Sequence, residues 1–326
     1  SAPDPMAEPR NKTLRGLAPM ETGRPDSGSA QADEQARTRH DTDQLLTRGY
    51  QLLDRLGSGG MGEVWRARSL RLDRLVAIKR VASEIPGSNE LLVREARAIA
   101  RLRHPSIVQV FDVVYDDDGA PYLVMELLHG ADLGEVLGEK GPLTELRAVE
   151  LMLGIISGLE LAHRNGIVHG DVKPDNVFLT VDGAGKEKAI LLDFGIAHAI
   201  APNPSETMML AGTPEFMAPE QVSGTVAGPA ADQWSACVTL YTLITGRQPF
   251  SRENNLALFD AIRSAALPYP RDVSMDPGLF AILARGTRKQ PAERYADVTE
   301  LRAALETWHR GKSARPKSPI DPWRNP

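Results

Sequence analysis

The sequence is short of cysteine and aromatic residues, and it has no long apolar run. Cys237 stands alone, so no disulfide can close within the chain and a reducing compartment fits best. It sits in the apolar stretch from Trp234 to Ile244, where a small thiol reads as core filling rather than as a nucleophile. No segment approaches the roughly 18 consecutive apolar residues of a membrane span, and the first residues lack the apolar core of a signal peptide. A formal net charge of −5 excludes a broadly basic face for nucleic acid or anionic membrane. These features together predict a cytoplasmic protein.

Aromatic residues are missing altogether from residues 1–46, which are rich in Pro, Ala, Arg, Asp and Ser. Such a segment cannot bury enough apolar area to offset the entropy of ordering, so it is read as disordered. Residues 311–326, with Lys312, Arg315, Lys317 and four prolines, read as an extended basic tail. A folded domain is thus expected over 47–310, with regular structure beginning near Tyr50.

Strands are predicted at Tyr50–Leu56, Glu63–Ala67, Leu75–Arg80, Val108–Tyr115 and Tyr122–Met125. One helix, Ser88–Arg103, interrupts them, with Leu91, Leu92, Ala96, Ile99 and Leu102 at helical spacing. The run Asp116–Gly119 reads as a solvated hairpin turn rather than a metal site. After Met125 the pattern turns helical. Thr144 caps a long helix whose buried face carries Val149, Met152, Ile156 and Leu159, and Asn165-Gly166 ends it. Further helices are expected at about 231–245, 254–265, 277–286 and 297–309. The fold class is therefore α+β: a small β-rich lobe with one main helix over about 47–128, a larger, mostly helical lobe over about 129–310, and a cleft between them.

The chemistry concentrates in Val168–Asn176, where His169-Gly170-Asp171 is followed by Lys173 and Asn176. One loop thus offers a carboxylate to orient a hydroxyl, a cation for a moving phosphate and an oxygen ligand for magnesium, as phosphoryl transfer requires. Seventeen residues beyond Asn176, Asp193-Phe194-Gly195 supplies a second metal ligand. Gly57, Gly59 and Gly62 lie in a loop between two strands, where bare backbone N–H groups can approach phosphates. A dinucleotide-binding turn would instead lead into a helix. Val76-Ala77-Ile78-Lys79 then places one Lys on the next strand.

Taken in order, the Gly-rich loop, V-A-I-K, H-x-D-x-K-x-x-N, D-F-G and the A-P-E of Ala218-Pro219-Glu220 resemble the protein kinase signature set, in the form of the bacterial eukaryotic-type Ser/Thr kinases. The resemblance spans roughly 48–309, about four-fifths of the chain. It implies ATP with Mg²⁺ or Mn²⁺ as cofactor and Ser/Thr hydroxyls of proteins as acceptors. Lys79 would bind the α- and β-phosphates and pair with Glu95. Asp193 and Asn176 would hold the metal, Asp171 would take the hydroxyl proton, and Lys173 would neutralise the γ-phosphoryl. Val64 and Ala77 would cover the adenine, with Phe178 beneath it. Met125 resembles a gatekeeper, Glu126 and Leu128 would offer hinge hydrogen bonds, and Asp132 would bind the ribose or cap the following helix. Thr213 would bond Asp171 and Lys173, Glu220 would pair with Arg294, and Asp232 would brace the catalytic loop. Similar kinases dimerise through the small lobe, which brings in a homodimer for trans-autophosphorylation. Among Ser205, Thr207 and Thr213, Thr207 is the expected phosphosite.

The match breaks at Gly170, where the family carries Arg. Glycine supplies neither charge nor hydrogen bonds to a phosphorylated activation segment, so activation through that Arg is not expected. The same departure favours an alternative, a nucleotide-binding pseudokinase acting as a scaffold. A small-molecule kinase is a third reading, disfavoured by the peptide-docking loop at 212–220.

Overall fold

Leu52, Ala67, Val76, Ile78, Tyr122 and Val124 fall on one face of alternating strands, and they form a small buried core under a five-stranded sheet. The computed structural model describes residues 48–59, 62–80, 88–115, 119–194 and 214–314, with the side chains of 58–59 and 88–92 excepted. Residues 116–118 of the expected Asp116–Gly119 turn and the segment 1–46 lie outside those residues, as do 195–213 and 315–326.

The sheet comprises β1 (Tyr50–Gly59), β2 (Gly62–Ser69), β3 (Arg74–Arg80), β4 (Val110–Tyr115) and β5 (Pro121–Glu126), ordered β1-β2-β3-β5-β4 and antiparallel throughout. Strand β1 is longer than expected and carries Gly57 and Gly59 into the ladder, with a register shift between Arg55 and Gly57. Helix α1 (Ser88–Ala100) buries Val93, Ala96 and Ile99. It stops three residues before the expected Arg103, because Arg101 and Leu102 turn tightly onto the carbonyls of Ala98 and Ile99 ahead of Pro105.

The second lobe is built around α3 (Glu145–Arg164), whose first turn is capped by the Thr144 hydroxyl accepting from the Arg147 N–H. Val149, Met152, Ile156 and Leu159 are buried as their spacing requires, and Gly166 takes a positive φ of 72° just past the end. Helix α5 (Pro229–Thr245) is buried on nearly every side, and its polar Asp232, Gln233, Ser235, Thr239, Thr242 and Thr245 are buried with the rest. Around these lie α2 (Leu133–Lys140), α4 (Pro219–Val222), α6 (Asn255–Ser264), α7 (Pro277–Gly286) and α8 (Val298–Ser313).

The second lobe is mostly helical, as expected, and also carries a small antiparallel sheet that the sequence reading did not place: β6 (Gly130–Asp132), β7 (Val177–Val181) and β8 (Glu187–Leu191). The Asp182 carboxylate accepts from the N–H groups of Ala184 and Lys186, a local turn that closes the β7–β8 hairpin. The last helix runs past the expected 309, since α8 continues to Ser313 and its Lys312 pairs with Asp276, the N-cap of α7. That pairing holds the Asp276 carboxyl down at about 2.

The lobes are joined where Ile107 bridges Leu191: Val108 N–H bonds Leu191 O at 3.0 Å, and Leu191 N–H bonds Ser106 O at 2.9 Å. No helix among the described residues is long and apolar enough to cross a membrane.

Candidate active site

Pro174 fixes the start of a short 3₁₀ turn, Pro174–Asn176, that folds the catalytic loop back on itself. Asn176 is thereby aimed at Asp171: its Nδ2 donates to the Asp171 carbonyl at 2.8 Å and to Asp171 Oδ2 at 2.9 Å. Lys173 Nζ donates to the same Oδ2 at 2.8 Å. Asp171 Oδ1 accepts no bond among the described residues and is left for an incoming donor. Lys173 and Asn176 are both buried, so this triad works at reduced dielectric, where charge-assisted bonds are strong.

The loop is held from beneath by α5. Asp232, fully buried, accepts from His169 N–H at 2.8 Å, Gly170 N–H at 2.7 Å and His163 Nε2 at 2.7 Å. Thr239 of the same helix donates to Val172 O at 3.1 Å. This is the brace expected of Asp232; His163 and Thr239 were not legible as site residues, since a helical His and a buried Thr carry no distinguishing pattern. Gly170 stands at φ 78°, a left-handed conformation that a side chain resists.

The second metal candidate is tied to the same loop. His169 Nε2 meets Leu192 O at 2.7 Å, Leu192 N–H donates to Asn176 O at 2.9 Å, and the His169 ring lies edge-on to Phe194 at 4.7 Å. Phe194 is buried, which anchors Asp193 beside it at a positive φ of 53°. Asp193 Oδ2 receives Lys79 Nζ at 2.8 Å, an ion pair in which the lysine side chain is only 6 % exposed. Gly195 and Thr213 lie outside the described residues, so the bond expected between Thr213 and Asp171 falls there too.

The expected Lys79–Glu95 pair is not formed. Lys79 is a single point charge and is engaged by Asp193, while Glu95 Oε2 is buried without a partner. Burial raises the Glu95 carboxyl to about 7, so near neutrality it competes weakly for a cation.

Several residues expected around the adenine come from adjacent ladder positions. Val64 pairs across to Gly57 and Lys79, and Ala77 to Met125. Met125 packs against Ala96 and Leu123. Glu126 commits its N–H to Gln109 O at 3.0 Å, and its carboxylate accepts from Gln109 N–H at 2.7 Å, which rigidifies the hinge start. Leu128 follows on this connection and is half-buried. Asp132 caps α2 by accepting from Glu135 N–H at 2.9 Å, and Phe178 lies opposite it across β6–β7. In the Gly-rich turn, Gly62 takes φ 117°, whereas a Cβ on Gly57 would meet nothing within 4 Å. The fold therefore does not require glycine at 57, which leaves its bare backbone to serve a close-approaching ligand. Gly59 ends β1 opposite Gly62.

The donor set suits a hard cation: one carboxylate from Asp193 and one amide oxygen from Asn176. Among the described residues no cluster of three His, Cys, Asp or Glu could hold an ion by itself. These two ligands fit a divalent ion that takes its remaining oxygens from phosphate and water, as Mg²⁺ does. Elsewhere, Cys237 is buried and its thiol is pushed up to about 12, in keeping with a core role. The expected Glu220–Arg294 pair is formed by two 2.7 Å bonds.

The model of the protein kinase domain matches residues 50–304. The chain is 38 % identical over 269 residues to serine/threonine-protein kinase PknL of Mycobacterium tuberculosis, covering 80 % of this chain and 66 % of that protein. It is 36 % identical over 281 residues to the probable serine/threonine-protein kinase CE0033 of Corynebacterium efficiens, covering 82 % and 42 %. With serine/threonine-protein kinase PknB of M. tuberculosis the identity is 34 % over 278 residues, covering 82 % and 44 %. The chain thus spans under two thirds of the first relative's length and under half of the other two. On the matched domain and the two-lobed fold, this chain belongs to the protein kinase family, among its bacterial eukaryotic-type Ser/Thr members.

Proposed function

We propose that this chain transfers the γ-phosphoryl group of ATP to Ser or Thr hydroxyls of proteins. The observation that carries the reading is the joined constellation of Asp171, Lys173 and Asn176, tied through Leu192 to the Lys79–Asp193 pair. Asp171 Oδ1, which accepts no bond among the described residues, accepts the acceptor hydroxyl's hydrogen bond and finally its proton. The oxygen–phosphorus bond to the acceptor forms as the bond to the β-phosphate oxygen breaks, and ADP leaves. Lys173, held against Asp171, contributes positive charge where the γ-phosphoryl oxygens gather it. Lys79 orients the α- and β-phosphates, and Glu95 supports it once ionised. Asn176 holds Asp171 through its Nδ2 and keeps its Oδ1 for a metal. Mg²⁺ or Mn²⁺, when bound by Asp193 and Asn176, neutralises phosphate charge. Val64, Ala77, Phe178 and Met125 enclose the base, Glu126 and Leu128 bond its edge, and Asp132 turns a carboxylate oxygen to the ribose. Gly57, Gly59 and Gly62 cover the phosphates. Positioning and electrostatics carry the rate, with no covalent enzyme intermediate.

Autophosphorylation on the activation segment, with Thr207 first, belongs to the same proposal, as does a homodimer in which one copy acts on the other. The proposed setting is the cytoplasm, where ATP is available. Intact mass after incubation with Mg²⁺ and ATP tests it, with Lys79→Met and Asp171→Asn as controls. Increments of about 80 Da per phosphoryl group in the wild type alone are the expected result. Nucleotide binding without increments, after phosphatase pretreatment, would return the pseudokinase alternative.

A further inference from the structure

Gln221 belongs to none of the kinase motifs quoted above, yet it is buried between the A-P-E turn and the catalytic loop. Its Oε1 accepts from Ala218 N–H at 2.9 Å, and its Nε2 donates to Gly170 O at 3.0 Å. Only this amide orientation satisfies both partners, one a donor and the other an acceptor.

The Gly170 carbonyl belongs to the peptide unit that leads into Asp171. That unit is held at its other end too, since Asp171 N–H donates to His169 Nδ1 at 3.2 Å. On the near side, Gly170 N–H is fixed by Asp232. Glycine has the widest choice of backbone angles, so the 170–171 peptide is the point at which this loop can most readily turn over. A flip would break the bonds at both Gly170 O and Asp171 N–H and loosen the backbone that aims the Asp171 carboxylate at Lys173 and Asn176. Where the family pattern has an Arg side chain to align the loop, this chain has none. It has instead a bond to its main chain from the Gln221 side chain, on the element that closes the segment at 212–220.

We infer that Gln221 is a positioning residue for the transfer reaction, locking the Gly170–Asp171 peptide and coupling its orientation to the seating of the Pro214–Val222 segment. The inference rests on the reading of Asp171 as the group that orients the acceptor hydroxyl.

Two substitutions separate this role from simple packing. Gln221→Met keeps the length and loses both bonds. Gln221→Glu keeps the acceptor for Ala218 N–H and loses, while ionised, the donor to Gly170 O. Protonation of the introduced carboxyl would recover the donor, and burial raises such a group above its usual value near 4.3. The full chain is assayed with Mg²⁺, ATP and myelin basic protein from pH 5.5 to 8, with melting temperature read in parallel and Asp171→Asn alongside. We expect kcat to fall roughly 10-fold or more in both variants at pH 8, with KM for ATP changed less than about 2-fold. The activity of Gln221→Glu relative to wild type should rise at least about 3-fold towards pH 5.5. Unchanged kcat in both variants would overturn the inference. So would a kcat loss that tracks melting temperature, with a Gln221→Glu ratio flat across pH, which would mark a packing residue. Full turnover by Asp171→Asn would instead refute the reading of Asp171 on which the inference rests.

Discussion

Lys79 Nζ lies 2.8 Å from Asp193 Oδ2, and Glu95, the partner the sequence assigns to Lys79, keeps a buried oxygen unbonded. An ionised carboxylate in that position would be costly, and burial accordingly raises the Glu95 carboxyl from 4.5 to about 7. The sign follows from linkage. Between those two values the folded state holds a proton that the unfolded state has lost, so the contribution is complete below 4.5 and is lost as pH rises through 7. Glu95→Gln, which cannot ionise, should match the wild type near pH 5 and exceed it at pH 8. Discounted for partial solvent screening, the gain is on the order of 1 kcal/mol, or about 2–4 °C in melting temperature. Thermal melts at the two pH values check it. A variant less stable than wild type at pH 8 would show Glu95 ionised and paired in solution.

Gly170 makes a second prediction through its φ of 78°. A Cβ in the left-handed region costs roughly 1–2 kcal/mol per residue. Gly170→Ala should therefore lower the melting temperature by several degrees. It should also lower kcat, because the residue that follows is Asp171. Gly170→Arg, which restores the family's usual side chain, should carry the same backbone cost. Melting curves for both variants beside wild type test this, and an unshifted midpoint in both would contradict it.

Local patterns announced much of this structure. Thr144, Asn165-Gly166 and the spacing of Met152, Ile156 and Leu159 state a helix, its two ends and its buried face within twenty-odd residues, so α3 was legible. The catalytic loop was legible for a related reason: Asp171, Lys173 and Asn176 are close in sequence as well as in space. The β6–β7–β8 sheet was not, because β6 is three residues long and its partner lies more than forty residues on. Gln221 and His163 were likewise invisible, since their meaning comes from Gly170 and Asp232, 51 and 69 residues away. The Lys79–Asp193 pairing was hidden for a different reason. The resemblance assigns Lys79 to Glu95 and reserves Asp193 for a metal, and the observed pairing with Asp193 depends on the burial of Glu95, which no local pattern reports.

Glu220 and Arg294 give a third prediction. Arg294 is fully buried at its side chain, forks onto Glu220 through two 2.7 Å bonds, and donates besides to the carbonyls of Ala230, Arg288 and Lys289. Glu220→Leu strands that guanidinium among carbonyls without its counter-charge. The expected loss is about 3–5 kcal/mol, read from urea unfolding. Adding Arg294→Met removes the stranded charge, so the double variant should recover part of the loss rather than add to it. Strict additivity would show that the two side chains do not act as a pair.

The last prediction concerns the buried thiol. A Cβ built on Gly286 would collide with Cys237 Sγ, so the C-terminal end of α7 can pack against α5 only because residue 286 has no side chain. Gly286→Ala should destabilise by about 1–3 kcal/mol through overpacking. Cys237→Ala removes the obstructing sulfur and should itself cost little, since the thiol, pushed up to about 12, has no ionic role. Combining the two should restore most of the stability lost in Gly286→Ala, a coupling of opposite sign to the single effects. Thiol titration supplies the companion measurement: Cys237 should stay unreactive towards an aromatic disulfide reagent in the native protein and react fully once urea unfolds it. Rapid native labelling, or a double variant no more stable than Gly286→Ala alone, would mean that α5 and α7 are not packed as closely as the Gly286–Cys237 contact requires.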